Sequence, residues 1–254
     1  MVSIRHIVLA LVCAAIMAMV AGCGGSDANP GDLATSPSPG ETASLADAAA
    51  ACTVIARAGP DLPDPTADLN DPDTLPAATV HRLQGAAGLA SAAARSDPRL
   101  GPVGWAAERL DDDLQTLDVR DFASATEATV TACRDLRLPS TVTRSSAQAD
   151  AALGCAAASR ARDRFSAASP GGASPGNDDR FSGIALLLQA AFEADSTYQT
   201  LAQLGQALPE DLRQGTVDEL SADGAALLTA CGNAGFLRGR DDRDDRVTGS
   251  SSPA

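Results

Sequence analysis

Two arginines and two aspartates recur in this chain at matched positions: Arg82 with Arg180 and Asp97 with Asp195, each 98 residues apart. Within each set fifteen residues separate Arg from Asp, which puts both on roughly one side of a helix. A polar pair used twice is a candidate ligand contact; the simpler role is Asp as a helix cap and Arg in a salt bridge. Other side chains with chemical potential are fewer than the length suggests. All 19 basic residues are Arg, so Schiff-base catalysis, lysine general bases and the Walker lysine are excluded. His81 has no nucleophile elbow near it and Asp179 at its matched position, which argues against a Ser-His-Asp triad. Six Glu without a Glu-x-x-His sequence exclude a ferritin-like di-iron centre. Asp61, Asp64, Asp68, Asp71 and Asp73 offer oxygen ligands for calcium, but the spacing misses the EF-hand loop and the second half of the chain has no equivalent. Asp111, Asp112 and Asp113 read as a solvated helix face, since an aromatic-lined glycosidase cleft is hard to build from seven aromatics. We therefore expect no enzyme, no cofactor and no metal.

The elements that must position these residues come as a duplication. Shifted by 98 positions, Arg82 to Cys133 lies on Arg180 to Cys231 without a gap, with about fifteen identities that include Gly85 with Gly183, Leu110 with Leu208 and Thr131-Ala132-Cys133 with Thr229-Ala230-Cys231. Asp47 and Asp150 each precede a cysteine by five residues, extending the match upstream. Alanine-rich stretches with helical period predict four helices per block. In the first block these are Leu45 to Ala58, with the stripe Leu45, Ala49, Cys52, Ala56; Pro76 to Ser96, with Thr74 as cap; Val103 to Leu117; and Asp121 to about Leu136. In the second they are 147–165, 178–195, 196–207 and 216–232. Trp105 corresponds to Gln203 while Phe181 and Phe192 enlarge the second block, which reads as core volume moved between helices. Gly85 and Gly183 sit inside helices, where glycine costs about 1 kcal/mol against alanine, so close approach of two helix backbones is expected there.

The N-terminus begins with Arg5 and His6, continues with an apolar run from Ile7 to Val20, and ends in Val20-Ala21-Gly22-Cys23. This resembles the lipobox of bacterial lipoproteins. The resemblance implies cleavage before Cys23, a diacylglyceryl group on its thiol, and anchoring to a membrane on the extracytoplasmic side. Four cysteines then remain, Cys52, Cys133, Cys155 and Cys231, and outside the cytoplasm four thiols form two disulfides. Because each block opens and closes with a cysteine-bearing helix, the duplication favours Cys52 with Cys133 and Cys155 with Cys231. A zinc site is disfavoured by the spacings.

The chain thus divides into a signal peptide (1–22), a flexible tether rich in Gly, Ser and Pro (23–44), helical repeats over 45–139 and 146–237, and a disordered tail (238–254). The fold expected is all-α: two tandem disulfide-stapled four-helix repeats, separate or packed as one pseudo-symmetric body. A net charge of −14 excludes nucleic acid as a partner. What remains is a membrane-anchored, non-enzymatic binding or structural module of the cell envelope, with Arg82, Asp97, Arg180, Asp195 and Trp105 as candidate contacts to a ligand or to a partner such as an envelope protein. The alternative is a helical carrier of an apolar small ligand.

Overall fold

A computed structural model describes residues 39–63, 67, 74–116, 119–138, 146–166 and 176–237, all within one compact unit beginning at Pro37. Among them the fold is entirely helical, with nine α-helices and no strand. The signal peptide, Cys23, residues 23–38 of the tether, most of the Asp61 to Asp73 loop and the tail lie outside the described residues.

In the first repeat the helices are α1 (Pro39–Ala58), α2 (Ala77–Ser96), α3 (Gly101–Thr116) and α4 (Val119–Asp135). In the second they are α5 (Ala147–Arg160), the short α6 (Arg162–Ser166), α7 (Asn177–Ala194), α8 (Gln199–Gln214) and α9 (Val217–Asn233). The 98-residue shift carries α3 onto α8 and α4 onto α9 with identical bounds, and the 3₁₀ turn Pro98–Leu100 onto Ser196–Tyr198. The duplication read in the sequence is therefore a duplication of structure.

The repeats form one body around α2 and α7, which pack on each other at its centre. Helix α2 is buried nearly all round, from Leu83 and Ala86 to Leu89, Ala90 and Ala93, as expected of a helix flanked by neighbours on every side. The matched glycines make this contact possible. A methyl group built on Gly85 would stand 2.9 Å from the Leu187 backbone nitrogen and 3.0 Å from the Gly183 carbonyl oxygen. One built on Gly183 would stand 3.0 Å from the Leu89 nitrogen and 2.8 Å from the Gly85 oxygen. The contacts are reciprocal, which is the property of an isologous, two-fold-related interface. Helices α1 and α3 flank α2, and α5 and α8 flank α7.

Each outer helix is tied back by a disulfide, Cys52–Cys133 between α1 and α4 and Cys155–Cys231 between α5 and α9. Their Cα atoms are 5.9 and 5.6 Å apart, and all four cysteines are fully buried. The pairing is the one the duplication implied.

Several local expectations are corrected. Helix α1 begins at Pro39, so the last six residues of the expected tether are helical; Ser44 is buried and bonds back to the Gly40 carbonyl. Its inward face is rotated from the expected stripe: Leu45 is half-exposed, and Asp47, Ala48, Ala51, Cys52, Val54 and Ile55 point inward. A stripe drawn through apolar residues alone could not include Asp47. Pro76, not Thr74, occupies the cap position of α2. Helix α8 continues through Pro209 to a left-handed Gly215, because Leu208 and Asp211 keep that face packed past the missing N–H. Trp105 is 73% exposed, so the idea that core volume moved from Trp105 into the second repeat fails. The second repeat gains its bulk at Phe181, which stacks on Phe165 with ring centroids 5.5 Å apart.

Candidate functional site

Asp47 and Asp150 lie on the inward faces of α1 and α5, one turn before the disulfide cysteines, and both are buried. A carboxylate in that position needs a partner, since an unpaired buried charge is prohibitively costly. Each finds it in the other repeat. Arg82 on α2 donates from Nε to Asp150 at 2.9 Å, with Nη2 also 2.9 Å away, and Arg180 on α7 donates from Nε to Asp47 at 2.8 Å. The two bonds are exchanged between the repeats, so the ion pairs cross the pseudo-two-fold axis marked by Gly85 and Gly183. Asp47 also accepts from Arg160 Nε at 2.7 Å. Burial pushes the Asp150 carboxyl up, while Arg82 and Arg57 pull it down.

Asp97 and Asp195 do not join these arginines. Fifteen residues of helix carry each about 22 Å away along its axis. There they cap the matched 3₁₀ turns, Asp97 accepting from the Arg99 backbone at 3.0 Å and Asp195 from Thr197 at 2.9 Å. Hydrogen bonds lower both carboxyls, from the Arg99 side chain in the first case and the Thr197 backbone in the second. Of the five residues expected at a contact surface, then, two form crossed structural pairs and two are caps. Asp195 is exposed at its cap, and Trp105 is exposed without any such structural role.

Beside Trp105 the two repeats diverge. A groove of about 420 Å³ opens between α2, α3 and α7, lined by Gln84, Gly88, Glu108, Asp111, Asp112 and Asp179 among others. Four carboxylates face one guanidinium, Arg95, which binds Asp179 at 2.6 Å and approaches Glu108 at 3.8 Å. Asp111 is held above its usual value chiefly by burial, with Gln115 opposing and Asp112 adding to the effect. The expectation of a solvated Asp111 to Asp113 face is thus corrected: Asp111 is partly buried in the groove wall. Trp105, Glu108 and Asp112 follow at i, i+3 and i+7 on one side of α3, which sets Trp105 one turn from Glu108 and two from Asp112.

At the matched place in the second repeat, glutamines close the gap. Gln206, the counterpart of Glu108, donates to Gln189 at 2.7 Å, and Gln189 donates to Glu193 at 3.0 Å. The Arg95–Asp179 pair has its counterpart in Glu193 and His81, 2.9 Å apart with the acidic and basic positions exchanged. His81 is therefore accounted for as a surface contact across the α2–α7 seam.

One acidic cluster escaped sequence reasoning. Asp211 at the end of α8 is 8% exposed, and its carboxyl is pushed up to about 6 by burial and by Asp223, Glu219 and Glu210. No group of three or more His, Cys, Asp or Glu among the described residues has the geometry of a metal site. Helical period drawn through apolar residues did not put Asp47 on the core face, and the expected helix end at 207 left Asp211 outside any helix.

No helix among the described residues is long and apolar enough to cross a membrane. No protein-family model, curated protein or solved structure matches this chain.

Proposed function

We propose that this chain is a lipid-anchored, extracytoplasmic and non-enzymatic binding module of the cell envelope, whose binding face is the outer side of α3. The anchor rests on the lipobox resemblance at Cys23. The binding face rests on one observation: the chain's only Trp is 73% exposed beside an acid-lined groove, at a place where the other repeat carries Gln203 and a glutamine bridge. Tryptophan is enriched at interface hot spots. A guanidinium or ammonium group has an aromatic face and carboxylates to engage here, which makes a basic segment of an envelope protein the fitting partner.

The apolar-carrier reading has less support. A second cavity of about 530 Å³, between Pro102 of α3 and Glu127, Ala128, Thr131 and Leu136, is an open surface groove, whereas a carrier encloses its ligand.

Trp105 is also the natural probe. Titrating an arginine-rich peptide into the protein is expected to change its tryptophan emission with a salt-sensitive affinity, weakened about tenfold or more by Asp111→Asn with Asp112→Asn. Emission that stays constant, or a response indifferent to those two changes, refutes the binding face. Replacing Cys23 by Ser is expected to move the protein from the membrane fraction to the soluble one; retention refutes the anchor.

A further inference from the structure

The crossed ion pairs are alike in register but not in saturation. Asp47, Arg160 and Arg180 correspond to Asp150, Arg57 and Arg82, and the same register sets Arg164 against Asp61. Around Asp150 the arginine is fully used: Arg82 binds the carboxylate through Nε and Nη2, and its Nη1 reaches Thr79 Oγ1 at 3.5 Å. Around Asp47 it is not. Arg180 is 1% exposed and binds through Nε alone, leaving Nη1 and Nη2 buried with no hydrogen-bond partner among the described residues. Idle donors on a buried charge are expensive, because their desolvation is not repaid by any acceptor. The Asp150 cluster leaves one comparable atom, Arg57 Nε, but on an arginine only half-buried.

Charge points the same way. Arg164 stands beside Arg180, and burial followed by the Arg180 charge lowers its guanidinium below the usual range. Arg164 Nη1 donates to Asn177 Oδ1 at 2.9 Å. Three guanidiniums thus surround a single carboxylate in a chain whose net charge is −14.

We propose that Arg160, Arg164 and Arg180 form a binding site for a small free oxyanion, a carboxylate or a phosphate, whose oxygens accept from the idle nitrogens of Arg180 and from Arg164. Paired N–H groups of guanidinium match the oxygen spacing of both anion types. Arg160 and Arg164 are the partly exposed members, so the anion enters past Arg164, which exchanges its bond to Asn177 for one to the ligand. Because the Nη atoms of Arg180 have almost no exposed surface, a free ion is favoured over a headgroup fixed in a bilayer.

The test titrates inorganic phosphate and acetate separately into the full chain at constant ionic strength, with chloride as the exchanged ion, and follows thermal unfolding and heat of binding. At least one anion is expected to raise the unfolding midpoint saturably by a few degrees, by mass action on the native state. A response to phosphate alone assigns a tetrahedral ligand, and one to acetate alone a planar ligand. Arg164→Gln, at a half-buried position, is expected to weaken binding about tenfold or more, while Arg57→Gln in the Asp150 cluster leaves it within about twofold. No saturable response to either anion, unchanged binding in Arg164→Gln, or equal loss in both variants overturns the site.

Discussion

Replacing Asp47 by Asn removes the charge between Arg160 and Arg180 while keeping the side chain's shape. Asp47 is fully buried and Arg180 is 1% exposed, so the variant strands a guanidinium in the core. Removing one member of a buried pair costs about 3 to 5 kcal/mol, most of it the penalty of the charge left behind. Against a typical total of about 5 to 15 kcal/mol that is a large fraction, yet the fold should survive with both disulfides intact. The cost should fall steeply when Arg180→Gln is added, giving a coupling of about 2 kcal/mol, whereas Asp47→Asn and Arg82→Gln should add within about 0.5 kcal/mol. The mirror cycle pairs Asp150 with Arg82. Urea unfolding followed by far-ultraviolet circular dichroism is the suitable assay, since Trp105 is already 73% exposed in the native state and reports little on unfolding. Coupling of Asp47 to Arg82 in place of Arg180, or a cost for Asp47→Asn below about 1 kcal/mol, refutes the crossed arrangement and with it the pseudo-two-fold reading.

Two further outcomes follow from the same structure. Removing one bridge as Cys52→Ala with Cys133→Ala opens a loop with a sequence separation of 81 and should cost about 4 kcal/mol, lowering the thermal midpoint by roughly 10 °C; the Cys155–Cys231 pair, separated by 76, should behave alike. Equal stability of oxidised and reduced protein contradicts this. For Asp211, with a folded value of about 6 against an ordinary 3.8, the native state holds its proton more tightly than the unfolded chain. Its contribution to stability is therefore full below pH 4 and is lost as pH rises through 6. Asp211→Asn should stabilise the protein at pH 7.5 by about 1 to 2 kcal/mol, after discounting for nearby water, and have little effect at pH 4. A gain that is the same at both pH values contradicts the titration of this group.

Much of the scaffold is legible in the sequence. Helical period and alanine content are local properties, and the repeat compares the chain with itself, so the order of the helices follows from residues such as Leu110 with Leu208 and Val119 with Val217, though not the break at Ala161 that divides the expected helix 147–165 into α5 and α6. The disulfides follow too, because an offset shared by both cysteine pairs constrains connectivity without reference to distance. Gly85 and Gly183 announced a close helix contact through the cost of glycine in a helix, though not that each was the other's neighbour.

The amino-acid sequence by itself determined an all-α chain, its duplication and the two covalent ties. Tertiary structure alone decided that Arg82 belongs to Asp150 and Arg180 to Asp47, that Trp105 faces water, and that Asp111 helps line a groove whose counterpart is bridged by Gln189 and Gln206. The physical reason is common to all of these. Periodicity says which face of a helix turns inward, but not what stands opposite, and a buried charge such as Asp47 acquires its meaning only when an arginine reaching across from α7 lets it be there.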